Sequence, residues 1–397
     1  MDELDALRRM RTTLAREESP DVLALRADWR AAPLPRPRRR FTAPLVSSMA
    51  AAVLVAASLA AVSVTSDADP PVQPGERESP DAPGNALLVA AANVRPEPAG
   101  TYWHTTRVAG KIHAVGESAA DHYKVESRMR YDHWTARNGT ACTAVQDLPA
   151  RPWSARDRRG WQEAGAPTKV RVATPDGPGT LFMDAPDRKP ICRTTRDQRF
   201  FGMTARQLAS LPTQPEQLRT ALLDLEGNWS AYAPEVTRQP IRALEGETRV
   251  RALSDVAGTL LALAPAPPAV RAAAFRMLAT LPGVKVEGRM TDPLGRAGVG
   301  ISLPLETTIP LGLSTAPRQL GTYRRQWIIN PGDGTLLAMR DVVATPPRGS
   351  RALPPGDDGK PRRLTAGTQP DRFHQPGEVS EYETYEAAEW TDVPPPG

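Results

Sequence analysis

Residues 41–64, FTAPLVSSMAAAVLVAASLAAVSV, contain no charged side chain. As a helix rising about 1.5 Å per residue, the run reaches about 36 Å, enough to cross a hydrocarbon core of about 30 Å. Arg36, Arg38, Arg39 and Arg40 stand directly before it, and Asp67 and Asp69 follow it. Basic residues stay on the cytoplasmic side, so the charge order predicts an inner N-terminus and an exported C-terminal part. The end of the run, SLAAVS at 58–63, would suit a signal peptidase. A secretory core, however, is about 7–15 apolar residues behind a short basic region. Here the run is longer and 40 residues precede it, so it reads as an uncleaved signal-anchor. The expected location is the cell membrane, single-pass, with the C-terminal domain extracytoplasmic.

The chain has 397 residues, 40% of them hydrophobic, and a net charge of +5. That length holds one or two folded domains. Arg carries most of the positive charge, and the basic residues are scattered with no aromatic-interleaved stripe, so no nucleic-acid partner is expected. The two cysteines, Cys142 and Cys192, both follow the span. An even pair in an exported domain reads as a disulfide, the alternative being two separate buried thiols. Closing a loop of about 50 residues would stabilise the fold by roughly 4 kcal/mol in the chain-entropy picture. Two thiols without a second ligand pair do not make a structural zinc site.

Residues 1–40 form a cytoplasmic amphipathic segment with a basic flank. Leu4, Leu7, Met10 and Leu14 make one apolar stripe, and Val22, Leu25 and Trp29 a second, after a helix start at Ser19-Pro20-Asp21. The pair reads either as a tail that helps orient the protein or as a docking element. Residues 65–85 are a Pro-rich linker. Residues 86–393 read as an extracytoplasmic α+β domain. A short helix is expected at 86–93 and strands at 101–108 and 121–135, where Tyr123, Val125, Ser127, Met129, Tyr131 and His133 share one face. Helices follow at 204–211, 215–225, 250–263 and 267–281, with Thr204 and Thr213 as caps. Two hairpins come next, 284–290 with 299–305 and 323–329 with 336–344. Residues 345–377 read as a loose loop, and 378–393 as a strand closing the sheet beside 336–344. A block of helices between two sets of strands gives α+β, with an antiparallel sheet and a central helical block.

Chemistry is sparse. Residues 1–64 hold no His and no Cys, which excludes a zinc-binding anti-sigma module there. No nucleophile elbow, phosphate loop or His-Glu-x-x-His motif occurs, and Gly295, Gly298 and Gly300 precede a strand, so they read as a hairpin turn. His104 and His133 would meet if their strands pair, yet a metal needs more ligands than that. Glu381, Glu383, Glu386 and Glu389 read as a solvated strand edge that discourages edge pairing. Asp333 reads as a structural turn residue. No catalytic, cofactor or metal site is expected, and no enzymatic activity.

The order of several motifs resembles an uncharacterised actinobacterial family of single-pass membrane proteins. They are Met1-Asp2-Glu3-Leu4, the Arg-flanked anchor, Leu211-Pro212-Thr213-Gln214-Pro215, Pro267-Pro268-Ala269-Val270-Arg271, Leu281-Pro282-Gly283-Val284, Thr291-Asp292-Pro293-Leu294-Gly295-Arg296 and Glu389-Trp390-Thr391-Asp392. Members are often encoded beside extracytoplasmic-function sigma factors, which implies a regulatory or signalling role with a cytoplasmic partner such as a sigma factor. The second expectation is an envelope ligand- or lipid-binding module without a signalling role, which requires an apolar cavity in the outer domain.

Overall fold

Strand chemistry of period two recurs on both sides of a helical block, and most of the strands assemble into one sheet. The structure, a computed structural model, describes residues 85–174, 177–184, 191–227, 229, 238–307, 320–353 and 361–396. The expected anchor, inner helical pair and linker lie outside these residues, except Asn85, which opens the first helix. Among the described residues, no helix is long and apolar enough to cross a membrane.

Helix α1 (Asn85–Ala92) leads into three strands, β1 (Tyr102–Gly116), β2 (His122–Ala136) and β3 (Ala141–Pro152). Helix α2 (Ala155–Glu163), the hairpin of β4 (Lys169–Thr174) and β5 (Gly177–Phe182), and the short strand β6 (Cys192–Thr195) follow. The helical block is α3 (Ala205–Ala209), α4 (Pro215–Leu223), α5 (Gly246–Ala262) and α6 (Pro268–Thr280), with the two-residue strands β7 (Glu226–Gly227) and β8 (Gln239–Pro240) inside it. Then come β9 (Lys285–Thr291), β10 (Ala297–Thr307), β11 (Thr322–Asn330), β12 (Thr335–Thr345), the small hairpin β13 (Ser350–Leu353) and β14 (Arg362–Thr365), and β15 (Val379–Thr391).

Nine strands form one sheet in the order β6-β3-β2-β1-β15-β12-β11-β10-β9. Every pair in it is antiparallel. The domain is therefore α+β, rich in antiparallel sheet. Two meanders, one on each side of the helical block in sequence, are joined where the first long strand meets the last. Trp103 stands opposite Trp390, and Lys111 opposite Glu381.

That junction corrects the reading of the acidic strand. β15 pairs with β12 as expected, but β1 covers its other side, so it is central and not an edge. Glu381 and Glu383 are buried. A buried carboxylate needs a cation, and β1 supplies one to each: Lys111 Nζ is 2.6 Å from Glu381 and Arg107 is 2.7 Å from Glu383. Glu386 is the extra residue at a bulge in β15 and meets Arg130 at 3.1 Å.

The helices cover one face of the sheet. Leu253, Val256, Ala257, Leu260 and Leu261 of α5, with Val270, Phe275, Met277 and Leu278 of α6, bury themselves against Trp327, Ile329, Leu336 and Ile301. Gly258 lies mid-helix in α5, where glycine costs about 1 kcal/mol relative to alanine. Its reason is close approach, since a Cβ there would collide with the Met339 methyl and crowd the Trp327 ring. The ends of the block follow sequence signals in part. Thr204 and Gln207 form a capping box on α3. Thr213, in contrast, is not the cap: the N-cap of α4 is Gln214, whose side chain makes no cap bond, and Pro215 opens the first turn.

A second, smaller core of Val125, Ala150, Val170 and Val172 seats the β4–β5 hairpin near one end of β1 and β2, with Trp161 of α2 packed against it. Cys142 of β3 and Cys192 of β6 form a disulfide with a Cα–Cα separation of 5.6 Å, tying the edge strand to the sheet. The loose loop expected at 345–377 is corrected as well. It contains the β13–β14 hairpin, and Gln369, Asp371 and His374 are buried. Polar composition suggested solvent; instead these side chains are packed against the ends of β1, β2 and β11.

Candidate functional site

Alternation puts one set of central-strand side chains under the helical block, and several of them are charged. Arg107 on β1, Glu383 and Tyr385 on β15, and Arg325 and Asp341 on neighbouring strands are all nearly inaccessible. Arg107 donates to Glu383 and stacks 4.4 Å over the Tyr131 ring. The Tyr385 hydroxyl donates to the same carboxylate at 3.0 Å. Arg325 binds Asp341 through two bonds of 2.9 and 3.0 Å and reaches Asp255 of α5 at 3.5 Å. Burial opposes the Arg325 charge, but the paired carboxylates outweigh it and raise its pKa. Burial, then Glu383, pushes the Tyr385 phenol well above its ordinary value, so it stays a donor.

The belt offers no room for a substrate. A cavity lined by Thr105, Arg107, Tyr131, His133, Phe200 and Leu263 has a volume of about 10 Å³, at the lower limit for one water. Arg325 holds Asp341 through two bonds, and Glu383 accepts from both Arg107 and Tyr385, which suits a structural network more than a reacting one.

The opposite face holds the nearest approach to a catalytic constellation. His104 Nε2 lies 3.4 Å from Asp132 Oδ1, and Thr106 Oγ1 donates to the same oxygen at 2.6 Å. Arg130 donates to Asp132 at 2.8 Å and bridges to Glu386. Burial would raise the Asp132 pKa, but the hydrogen bonds from His104, Arg130 and Thr106 outweigh it and hold the carboxylate ionised. Thr106 is only 2% exposed, so no substrate reaches its hydroxyl. The group is a satisfied ion network.

The expected meeting of His104 and His133 does not occur. Their strands do pair, but His104 stands opposite Trp134 and His133 opposite Thr105. Residues one step apart in register point to opposite faces. His104 stacks on Trp134 at 4.5 Å, and His133 bonds Thr143 and Thr135. Among the described residues, no group of three or more His, Cys, Asp or Glu side chains is arranged to hold a metal ion.

The turn residues do structural work. Asp292 accepts from the backbone N–H groups of Leu294 and Arg296 and from the Arg296 guanidinium. This makes 292–296 the tight turn of the β9–β10 hairpin, as the glycine pattern implied. Asp333 accepts from Thr335, and Asp392 accepts from the N–H and hydroxyl of Thr101. Gly283 has a φ of +78° and touches Pro304, a position closed to other residues.

Sequence reasoning missed the residues of the 361–378 segment. The Tyr323 hydroxyl donates to Asp371 at 2.6 Å, as does Ser380 at 3.1 Å. His374 is 1% exposed, and neither ring nitrogen has a hydrogen-bond partner. A buried Asp and His inside a stretch bounded by Pro and Gly leave no periodic signal.

No family model, curated protein or solved structure matches the chain.

Proposed function

We propose that the chain is a membrane-anchored regulatory or signalling protein of the cell envelope. Its exported domain acts as a sensor, and residues 1–40 carry the output to a cytoplasmic partner such as a sigma factor. The observation that carries this reading is the joining of an amphipathic, Cys-free inner segment to a large α+β domain by one uncharged, Arg-flanked span. The Cys142–Cys192 bridge supports the placement of that domain in an oxidising compartment. The proposal includes no catalytic step.

The alternative, an envelope lipid- or ligand-binding module, needs an apolar cavity against the sheet. Helices α5 and α6 fill the corresponding face with their own side chains, and a charged belt crosses its centre. Both features favour the signalling reading. The test is capture of partners by residues 1–40 fused to an inert carrier, together with replacement of this segment in the full chain by an unrelated basic anchor. Capture of a sigma factor or other regulator, and loss of the transcriptional response on replacement, are expected. A silent capture together with an intact response rejects the reading.

A further inference from the structure

β15 accompanies β1 only as far as the pair of Lys111 with Glu381. Beyond that point the 366–378 segment takes over the same edge. The Ala114 N–H donates to Pro370 O at 2.7 Å, and Arg372 donates to Gly116 O at 2.8 Å. The segment is tied at its other end to β12, through Gly377 N to Val343 O and Val343 N to Glu378 O. Its opening turn also packs against β4. The segment is thus a strap, held on a strand edge that would otherwise be open.

Beneath the strap lie imidazoles with incomplete hydrogen bonding. His374 has no partner for either nitrogen, and His113 of β1 uses Nε2 on Ser127 while its Nδ1 has none. Both are at most 5% exposed. The nearby charges are of both signs. β1 contributes Lys111, paired with Glu381, and β2 contributes Lys124, whose Nζ is 2.5 Å from Glu378. His122 of β2 packs on Phe373 of the strap, beside Arg372. From β11, Tyr323 faces Asp371. On β4, Lys169 and Arg171 are exposed.

We propose that residues 366–378 are an acid-released strap: protonation of His374, with His113 beside it, frees the segment and uncovers the β1 edge at residues 112–116. An imidazolium on His374 would gain the Glu378 charge and the Asp371 carbonyl, but burial together with Lys124 and His122 outweighs both, whereas solvent accommodates it once the strap lifts. The uncovered edge presents unpaired backbone groups that a further strand can join. The proposal stands whether or not the protein signals, and an acidic envelope would be its natural trigger.

The sign follows from the titration of each group. Burial, then Lys124, pushes His374 down to about 3, and burial, then Lys111, does the same to His113. A base lowered on folding contributes its full stability above its unfolded pKa, near 6.5, and loses it as pH falls towards the folded value. At pH 5, each imidazole that becomes exposed favours the released form roughly 30-fold. Glu378 is lowered despite burial, by Lys124 first among its partners, so it adds acid lability below its usual range. Asp371 is raised by burial and acts in the opposite sense, firming the strap as it protonates. Histidine variants separate these contributions.

The experiment is hydrogen exchange on the full chain in detergent micelles at pH 7.5 and 5.0, corrected for the intrinsic pH dependence of exchange. Strap amides of 370–378 and the Ala114 amide should lose protection by roughly 30-fold or more, while β11 and β12 keep theirs. His374→Phe, which replaces a ring that makes no hydrogen bonds, should remove roughly 30-fold of that loss. Protection unchanged between the two pH values, loss spread equally over β11 and β12, or an undiminished loss in His374→Phe would each overturn the proposal. Should His374→Phe not fold, the imidazole titration of the wild-type chain by NMR decides. A His374 that titrates near 6.5 in the folded protein rejects the strap, and one that stays neutral down to about 4 supports it.

Discussion

Arg107 and Glu383 are 276 residues apart in sequence and 2.7 Å apart at the centre of the sheet, with both side chains under 10% exposed. The pair spans the junction between the first long strand and the last, so it forms only when the two meanders have joined. Removing one partner leaves the other charged and enclosed. Arg107→Ala should therefore cost about 3–5 kcal/mol in urea-unfolding free energy. Replacing both, as Arg107→Met with Glu383→Leu, should cost clearly less than the single change, because an apolar pair of similar volume avoids the stranded charge. A double variant as unstable as Arg107→Ala alone would show that the cost comes from packing and not from charge.

The disulfide makes a separate claim. β6 is four residues long and pairs with β3 through only four residue pairs, so it has little of its own to hold it. Cys142→Ala with Cys192→Ala should lower stability by roughly 4 kcal/mol, the loop-closure value for about 50 residues. Reduction of the wild-type chain should produce the same shift in urea midpoint, and the double variant should be indifferent to reductant. A midpoint that reductant does not move would rule out a structural role for the bridge.

How far the sequence disclosed this fold depends on what kind of signal each element carries. Alternation in 121–135 gave β2 and which side chains share a face, because period two is a property of the strand alone, but the charged face expected to be wet holds the buried Lys124 and Glu126. It did not tell which face would be covered. Glu381 and Glu383 thus read as wet although β1 and the helices enclose them, and only the pairing partner reveals that. Register defeated the histidines in the same way, since a single step decides whether His104 and His133 share a face. Helices α5 and α6 were legible from their apolar spacing and from Pro267 and Pro268 at the start of α6. Gly258 was not, because its role is a contact with Met339 and Trp327 from distant strands. The cysteine pair was legible by count. The buried groups of the strap were hidden by Pro- and Gly-rich surroundings, where no period exists to place a side chain.

Gly258 offers a test of the packing between helices and sheet. Gly258→Leu forces a branched side chain into space held by Met339 and Trp327, and should destabilise by about 1–3 kcal/mol through overpacking. Combining it with Met339→Ala should recover part of that loss, since the Met339 methyl is the flexible neighbour nearest the new Cβ. Strict additivity of the two changes would mean that α5 shifts as a body instead.

The proposed membrane topology is open to direct test. Alkaline phosphatase fused after residue 85 should be active, as it is only where disulfides form outside the cytoplasm, and the same enzyme fused after residue 35 should be inactive. Replacing Arg36, Arg38, Arg39 and Arg40 together by Glu removes the cationic flank that is proposed to set orientation. The residue-85 fusion should then lose activity in a large share of molecules, as the span inserts in both directions. The Cys142–Cys192 bridge reports independently, because inverted molecules would hold both cysteines in a reducing compartment and label with a thiol-alkylating reagent under denaturing conditions. Phosphatase activity at residue 35 in the wild-type chain, or free thiols at Cys142 and Cys192, would refute the proposed orientation.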